Sequence, residues 1–265
     1  MLYFLFTQTF EFYDKVIFRI VNFFTFYFVN FLGNLLWHLY SFRRKKHFIW
    51  PHYFGTTFGF FLNSSYSLKH LYTTKSFRLS EKEETIISES ELKKISFLSN
   101  PNTALALFHI EKIEPSLTDN FTLALDDVND PGNLGTIIRL CDWFGISRLV
   151  CSEHTVDCYN PKVIQATMGS LTRVHVSYCN LPEFLQSTNF PVYGAFMDGE
   201  NVYKSTLPKS AVLVMGNEAN GISKEVENLI SNRTSIPRFG DLKATESLNV
   251  ATATSILLSE FFRTA

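Results

Sequence analysis

The sequence predicts an α/β protein whose parallel sheet occupies the chain from Phe121 to the C-terminus. Short apolar runs there alternate with amphipathic helical segments, as parallel strands joined by helical crossovers do. The runs at 121–128, 147–152, 173–178, 191–197, 211–215 and 234–237 are rich in Val, Leu and Ile, as strands covered on both faces should be. Three of them are followed directly by Gly, Asn or charged residues, at the carboxyl ends of strands where open α/β sheets bind ligands.

The helices follow from spacing. Leu134, Ile137, Ile138, Cys141 and Phe144 fall on one helical face, and Gly145 suits the C′ position. Ile222, Val226, Leu229 and Ile230 repeat the pattern behind Ser223, a good N-cap. A final helix opens near Val250, with Leu248, Ala251, Ser255, Leu258 and Phe262 as its buried stripe. Its small residues, Ala251 to Ser255, permit another backbone to come close.

Residues 62–118 read as a smaller α/β unit with its linker. Leu68–Thr73, Thr85–Ile87 and Ala104–Ile110 are candidate strands, and Ser88 with Glu91 stands at capping-box spacing before Leu92 and Ile95. Residues 1–61 differ from everything after them: sixteen of the 27 phenylalanines lie there. Ile20 to Phe42 carries no Lys, Arg, Asp or Glu and is followed by Arg43-Arg44-Lys45-Lys46. That meets the length and flanking-charge criteria of a membrane span, although Asn22, Asn30, Asn34 and His38 are costly in hydrocarbon. Three readings stand side by side: text translated out of frame or from too early a start, a membrane or interfacial anchor, and an unusual soluble segment.

The 265 residues suit two modest domains, and 46% apolar with 18% charged residues excludes wholesale disorder. A formal net charge of −1 argues against a nucleic-acid partner held by overall charge and leaves that work to a local basic patch. Cys141, Cys151, Cys158 and Cys179 show no C-x-x-C spacing, so no metal or redox site is expected and they read as reduced, packed thiols.

Chemistry concentrates in three segments. In the first, Asp126 to Thr136, Pro131 and Gly132 turn the chain and Gly135 admits a neighbouring backbone. Asn133 and Arg139 then lie near a helix N-terminus, which favours anions. It is neither a dinucleotide-binding nor a P-loop motif, and a turn with a capping Asn is the plainer reading. The second, Gly216-Asn217-Glu218-Ala219-Asn220-Gly221, places a carboxylate between glycines after a buried strand, or is a turn with a solvated Glu. The third joins Ile236-Pro237-Arg238-Phe239-Gly240 to Glu246-Ser247-Leu248-Asn249-Val250, where Ser247 caps the helix in the plainer reading.

Taken together, in this order and at these separations, the segments resemble the three signature motifs of the SpoU/TrmH methyltransferases of the knotted SPOUT superfamily. Lys162 to Val176 and Gly194 to Gly199 are similar too, so the resemblance runs over about residues 121–263. It divides the chain into residues 1–61, a partial substrate-binding unit at 62–118, and a methyltransferase domain at 119–265. Residues 66–113 resemble the second half of the ribosomal-protein-like RNA-binding domain that usually precedes the catalytic one; its first half is not recognisable in residues 1–61.

The resemblance implies a deep C-terminal trefoil knot, a rare exception to unknotted folding. It implies S-adenosyl-L-methionine held by backbone groups of Gly216, Ile236 and Leu248, with Ala195, Asn217 and Pro237 nearby. It leaves catalysis to Asn133, Arg139, Glu218, Ser247 and Asn249, in methyl transfer to a ribose 2′-oxygen of tRNA or rRNA by a cytoplasmic homodimer. Membrane association enters only if residues 1–61 are genuine. The family's arginine, here Arg139, has been proposed as the general base. Because a guanidinium keeps its proton in proteins, Arg139 is better read as a fork on the target phosphate that steadies the developing oxyanion. Asn133 and Asn249 then orient the ribose, Ser247 adds a hydrogen bond, and Glu218 holds Arg139 or a neighbouring backbone. The rival expectations are an inactive RNA-binding protein that kept the knotted fold and a base-methylating relative.

Overall fold

The computed structural model describes residues 47–50 by their backbone, and 60–96, 103–110, 114–115, 120–239 and 247–263 in full. The Ile20–Phe42 run, its basic flank and the Gly240–Glu246 stretch of the third segment lie outside the described residues. Among the described residues no helix is long and apolar enough to cross a membrane.

Six strands form the main sheet: β5 (Phe121–Leu125), β6 (Arg148–Ser152), β7 (His175–Cys179), β8 (Val192–Asn201), β9 (Ala211–Met215) and β10 (Asn232–Ser235). Their order across the sheet is β10-β8-β9-β5-β6-β7, and every pair is parallel. Alternation along each strand feeds two cores. Leu123, Leu125, Leu149, Leu213 and Met215 face one, with α2 (Pro131–Trp143) and α6 (Val250–Phe262). Ala124, Val150, Val212 and Val214 face the other, with α4 (Leu181–Gln186) and α5 (Lys224–Glu227). Each fully buried Leu or Ile adds ~1.5–3 kcal/mol of transfer free energy.

The smaller sheet has the order β1-β4-β2-β3, from β1 (His47–Trp50), β2 (Leu68–Thr73), β3 (Glu84–Ile86) and β4 (Ala104–His109). His47–Trp50, which composition assigns to the atypical segment, pairs antiparallel with β4. Phe61 is fully buried against Phe108 and Tyr66. The capping box at Ser88 and Glu91 opens α1 (Glu89–Ile95). Tyr66 joins this sheet to the larger unit through its hydroxyl, 3.2 Å from that of Tyr159.

Several boundaries differ from the sequence expectation for local reasons. β5 ends at Leu125 because Asp127 takes a left-handed conformation (φ 59), which Asp tolerates better than most residues. α5 stops after Glu227, and 3₁₀-type bonds from Leu229 to Val226 and Ile230 to Glu227 continue the apolar spacing. β10 starts and ends two residues early, since Pro237 has no N–H to give a ladder. In α6 the buried residues are Val250, Ala251, Thr254, Leu257, Leu258 and Phe261; Leu248 is 48% exposed and precedes the helix, so a stripe counted from it is rotated. All four cysteines are free thiols; three are buried, and burial pushes the half-buried Cys179 up to about 11.

Gly135 is where α2 meets α3 (Pro161–Thr167): an added Cβ would stand 2.4 Å from the Cβ of Ala166 and 2.9 Å from the carbonyl oxygen of Val163. Gly135→Ala should therefore destabilise the fold by about 1–3 kcal/mol in urea unfolding. Ala166→Gly should restore only part of the loss, because the Val163 carbonyl stays in place. Full restoration would mean that the backbone contact is soft.

Candidate functional site

The three polar segments follow β5, β9 and β10, of which β5 and β9 are neighbours, and hydrogen bonds sew them together. After β5, Asp126 is buried and its carboxylate accepts the Ser223 N–H at 2.7 Å, across to the segment after β9. The left-handed turn at Asp127 is held from both sides. Its N–H donates to Ser152 Oγ at 2.8 Å, and its carbonyl accepts from Asn217 Nδ2 at 2.7 Å. Ser223 occupies the N-cap position of α5 without capping through its side chain.

The segment after β9 is a tight loop. Asn217 and Gly221 exchange backbone hydrogen bonds at 2.9 Å each way, while Asn217 Oδ1 accepts from the N–H groups of Ala219 and Asn220. The loop folds so closely that a Cβ on Gly216 would lie 2.4 Å from the Gly221 carbonyl carbon, and Gly221 itself has φ +69. Only glycine fits both positions without strain. Glu218 is thereby presented at the exposed tip.

A chain of side-chain amides crosses all three segments. Asn249 is the N-cap of α6: its Oδ1 accepts the N–H groups of Ala251 and Thr252 at 3.0 and 3.2 Å. Its Nδ2 donates to Asn133 Oδ1 at 2.8 Å, and Asn133 Nδ2 donates to Glu218 Oε1 at 2.6 Å. Asn133 is free for this because Asp130, not Asn133, caps α2, accepting the Asn133 N–H at 2.8 Å. Each amide keeps a second N–H, and Glu218 a second oxygen, for a ligand.

Four further residues singled out by sequence lie on α2, before α6, in β8 and after β10. Arg139 lies six residues beyond Asn133 on α2, is exposed, and makes no hydrogen bond or ion pair among the described residues. Glu218 accepts from the Asn133 side chain, a partner other than the Arg139 or neighbouring backbone that the resemblance implied. Ser247 is exposed, two residues before Asn249, the residue that caps α6, so it is not the cap. Ala195 and Ile236 are half-buried against the main core.

Beyond Gly194, β8 departs from the regular ladder. Gly194 pairs with Arg233, yet the next residue of β10, Thr234, pairs with Glu200, so residues 195–199 bulge from the sheet. Arg233 pins the bulge with ion pairs to Asp198 and Glu227, and its guanidinium lies 3.6 Å from the centre of the Phe196 ring. Hydrogen bonding to that guanidinium holds the Asp198 carboxyl below the usual carboxylate range. After β9, after β10 and before α6, the backbone groups of Gly216, Ile236 and Leu248 enter no hydrogen bond among the described residues. Unengaged amides and carbonyls, half-buried at Gly216 and Ile236 and exposed at Leu248, suit a ligand that hydrogen-bonds main chain.

Asp126 and Asn217, which latch the loops, were visible in the motifs but carried no signal of their role, because their partners Ser223 and Asp127 are remote in sequence. A parallel α/β sheet carries polar loops knitted together at the carboxyl ends of its strands, the place where open sheets of this class bind ligands. A model of the SpoU rRNA Methylase family matches residues 120–259, more than half of the chain, and the chain belongs to that family.

Similar proteins include the 23S rRNA (guanosine(2553)-2′-O)-methyltransferase RlmP of Bacillus subtilis, 31% identical over 177 residues, 65% of this chain and 70% of that protein. The 23S rRNA (guanosine-2′-O-)-methyltransferase RlmB of Neisseria meningitidis is 30% identical over 158 residues, 57% of this chain and 62% of that protein. Among solved structures, one from Porphyromonas gingivalis assigned to the TrmH family of RNA methyltransferases has a TM-score of 0.78 at 36% identity. It covers 91% of this chain and 99% of its own. An AdoMet-bound rRNA methyltransferase from Sinorhizobium meliloti has a TM-score of 0.72 at 26% identity, covering 82% and 87%.

The two functions of Asn249 are separable. Asn249→Asp keeps the cap oxygen and loses the amide donor to Asn133, and should cost about 0.5–1 kcal/mol, the helix dipole offsetting part of the loss. Asn249→Ala loses both and should cost about 1–2 kcal/mol in thermal unfolding. Equal losses in the two variants would show that Asn249 does not cap α6.

Proposed function

We propose that the chain is an S-adenosyl-L-methionine-dependent RNA methyltransferase that modifies a ribose 2′-oxygen of ribosomal or transfer RNA. The observation that carries this is the amide chain from Asn249 through Asn133 to Glu218, set beside the unengaged backbone of Gly216, Ile236 and Leu248. The names of RlmP and RlmB support the ribose oxygen and favour ribosomal RNA. The AdoMet-bound relative supports the methyl donor.

The donor, when bound, supplies a methyl group on a positively charged sulfur that leaves as a neutral thioether, so the acceptor oxygen needs alignment and loss of one proton. Gly216, Ile236 and Leu248 hold the donor through main-chain groups, with Ala195, Asn217 and Pro237 shaping the walls. The second N–H groups of Asn133 and Asn249 orient the ribose, and Ser247 adds a hydrogen bond. Glu218 aligns Asn133 and keeps an oxygen facing the substrate. Arg139 grips the phosphate as a planar fork and steadies the oxyanion.

The finer architecture belongs to the same proposal. The C-terminal segment forms the family's trefoil knot, which the packing of α6 on α2 supports. The chain acts as a homodimer; Trp143, 84% exposed at the end of α2, supports an apolar contact with a second copy. The smaller sheet serves as the RNA-docking unit, and the free, buried thiols accord with a cytoplasmic setting.

Transfer of a labelled methyl group to bulk rRNA and tRNA tests the activity. Nuclease digestion should then leave resistant dinucleotides, because a 2′-O-methyl group blocks cleavage at the next phosphate; label on a fully digestible nucleoside would mean base methylation. Arg139→Lys should lower kcat by about 10- to 100-fold, since Lys offers a point charge and no fork. Near-normal turnover would remove the fork assignment.

A further inference from the structure

Beside the proposed donor site stands an exposed cluster that the mechanism does not use. Phe239 follows β10 directly after Pro237 and Arg238 and is 82% exposed. Tyr203 follows β8, its N–H bonded to Asn201 Oδ1 at 3.0 Å, and is 42% exposed. Their ring centroids are 6.4 Å apart with planes only 30° from parallel. Met197, 57% exposed in the β8 bulge, accepts Arg238 Nη2 at 3.6 Å on its sulfur. Scattered surface apolar residues need no explanation, but two aromatics and a methionine gathered beside a ligand site do.

We infer that the Phe239–Tyr203 pair is a stacking platform for an unpaired base of the RNA substrate, a reading that rests on the function proposed above. Both rings stand on segments that leave the ends of adjacent parallel strands, where Ser235 is in register with Asn201, so their spacing is set by the sheet. The platform directly follows Ile236 and Pro237 in the chain, beside the residues proposed to hold the donor. Charge is complementary as well: Lys204 and Arg238 are exposed beside the rings, and Asp198, the acid of the bulge, is already paired with Arg233. Cationic side chains next to aromatic faces are what single-stranded nucleic acid binds, with phosphates on the charges and bases on the rings.

The test uses the full chain and fluorescence anisotropy with a short single-stranded RNA oligonucleotide, alongside an abasic ribose-phosphate chain of equal length. Phe239→Ala should weaken binding of the oligonucleotide by about 5- to 100-fold, the range that base–aromatic stacking spans, with abasic binding and S-adenosylmethionine affinity unchanged. Phe239→Tyr and Phe239→Trp should stay within about twofold of wild type, whereas Phe239→Leu, apolar but without a π face, should behave like the alanine variant. Leucine as good as tyrosine, or an equal loss on the abasic chain, overturns the platform. A change of oligomeric state in size-exclusion chromatography on Phe239→Ala also overturns it, by showing a contact between copies. Wild-type protein that transfers methyl groups while Phe239→Ala binds normally sinks the platform alone. Protein inert in transfer whose RNA affinity still falls with Phe239→Ala sinks the enzymatic reading and leaves the platform standing.

Discussion

The amide of Asn249 can point only one way, and the rest of the site follows from that. The first N–H groups of α6 need an acceptor, so the carbonyl oxygen turns into the helix and the NH₂ turns out. The outward NH₂ then requires the oxygen of Asn133, which leaves the Asn133 NH₂ for the Glu218 carboxylate. Polarity runs from the positive end of a helix to a negative side chain, through two groups that carry no charge. A hydrogen bond to a charged group is worth about 1.5–3 kcal/mol and a neutral one about 1. The carboxylate end is therefore the stronger link, and the helix cap gives the chain its direction.

Such an arrangement demands that the three loops arrive within hydrogen-bond reach, and the strands deliver them. β5 and β9 are adjacent and in register from Phe121–Ala211 to Leu125–Met215, so their loops begin side by side. The latches Asp126–Ser223 and Asn217–Asp127 remove the remaining freedom. Groups whose positions are fixed by packed strands and second partners hold geometry better than groups on free loops. Arg139, Ser247, Glu218 and Asn249 are left exposed, where a large incoming substrate can reach the groups that the proposed function gives it.

Much of this was legible in the sequence. Periodicity placed β2 and β9 to the residue and α1 by its capping box, because those signals are local. Gly135 was legible as a close approach, since glycine inside an amphipathic helix has few other reasons to stand there. What escaped were partnerships across long separations. Asn133 with Glu218 and Asn249 spans 85 and 116 residues, and nothing in spacing says which oxygen meets which nitrogen. The early end of β5 escaped for a related reason: Asp127 is stabilised in a left-handed turn by Ser152 and Asn217, neither of them a neighbour in sequence. His47–Trp50 escaped because the unusual composition around it masked an ordinary edge pairing.

The direct measurement of the amide chain is a double-mutant cycle between two residues that do not touch. Asn249→Ala, Glu218→Ala and the double variant are compared by unfolding free energy, in the wild-type and Asn133→Ala backgrounds. Transmission through Asn133 predicts a coupling of at least about 0.5 kcal/mol that vanishes without Asn133. Additive losses in both backgrounds would contradict it, leaving Asn249 and Glu218 as independent residues that happen to share a neighbour.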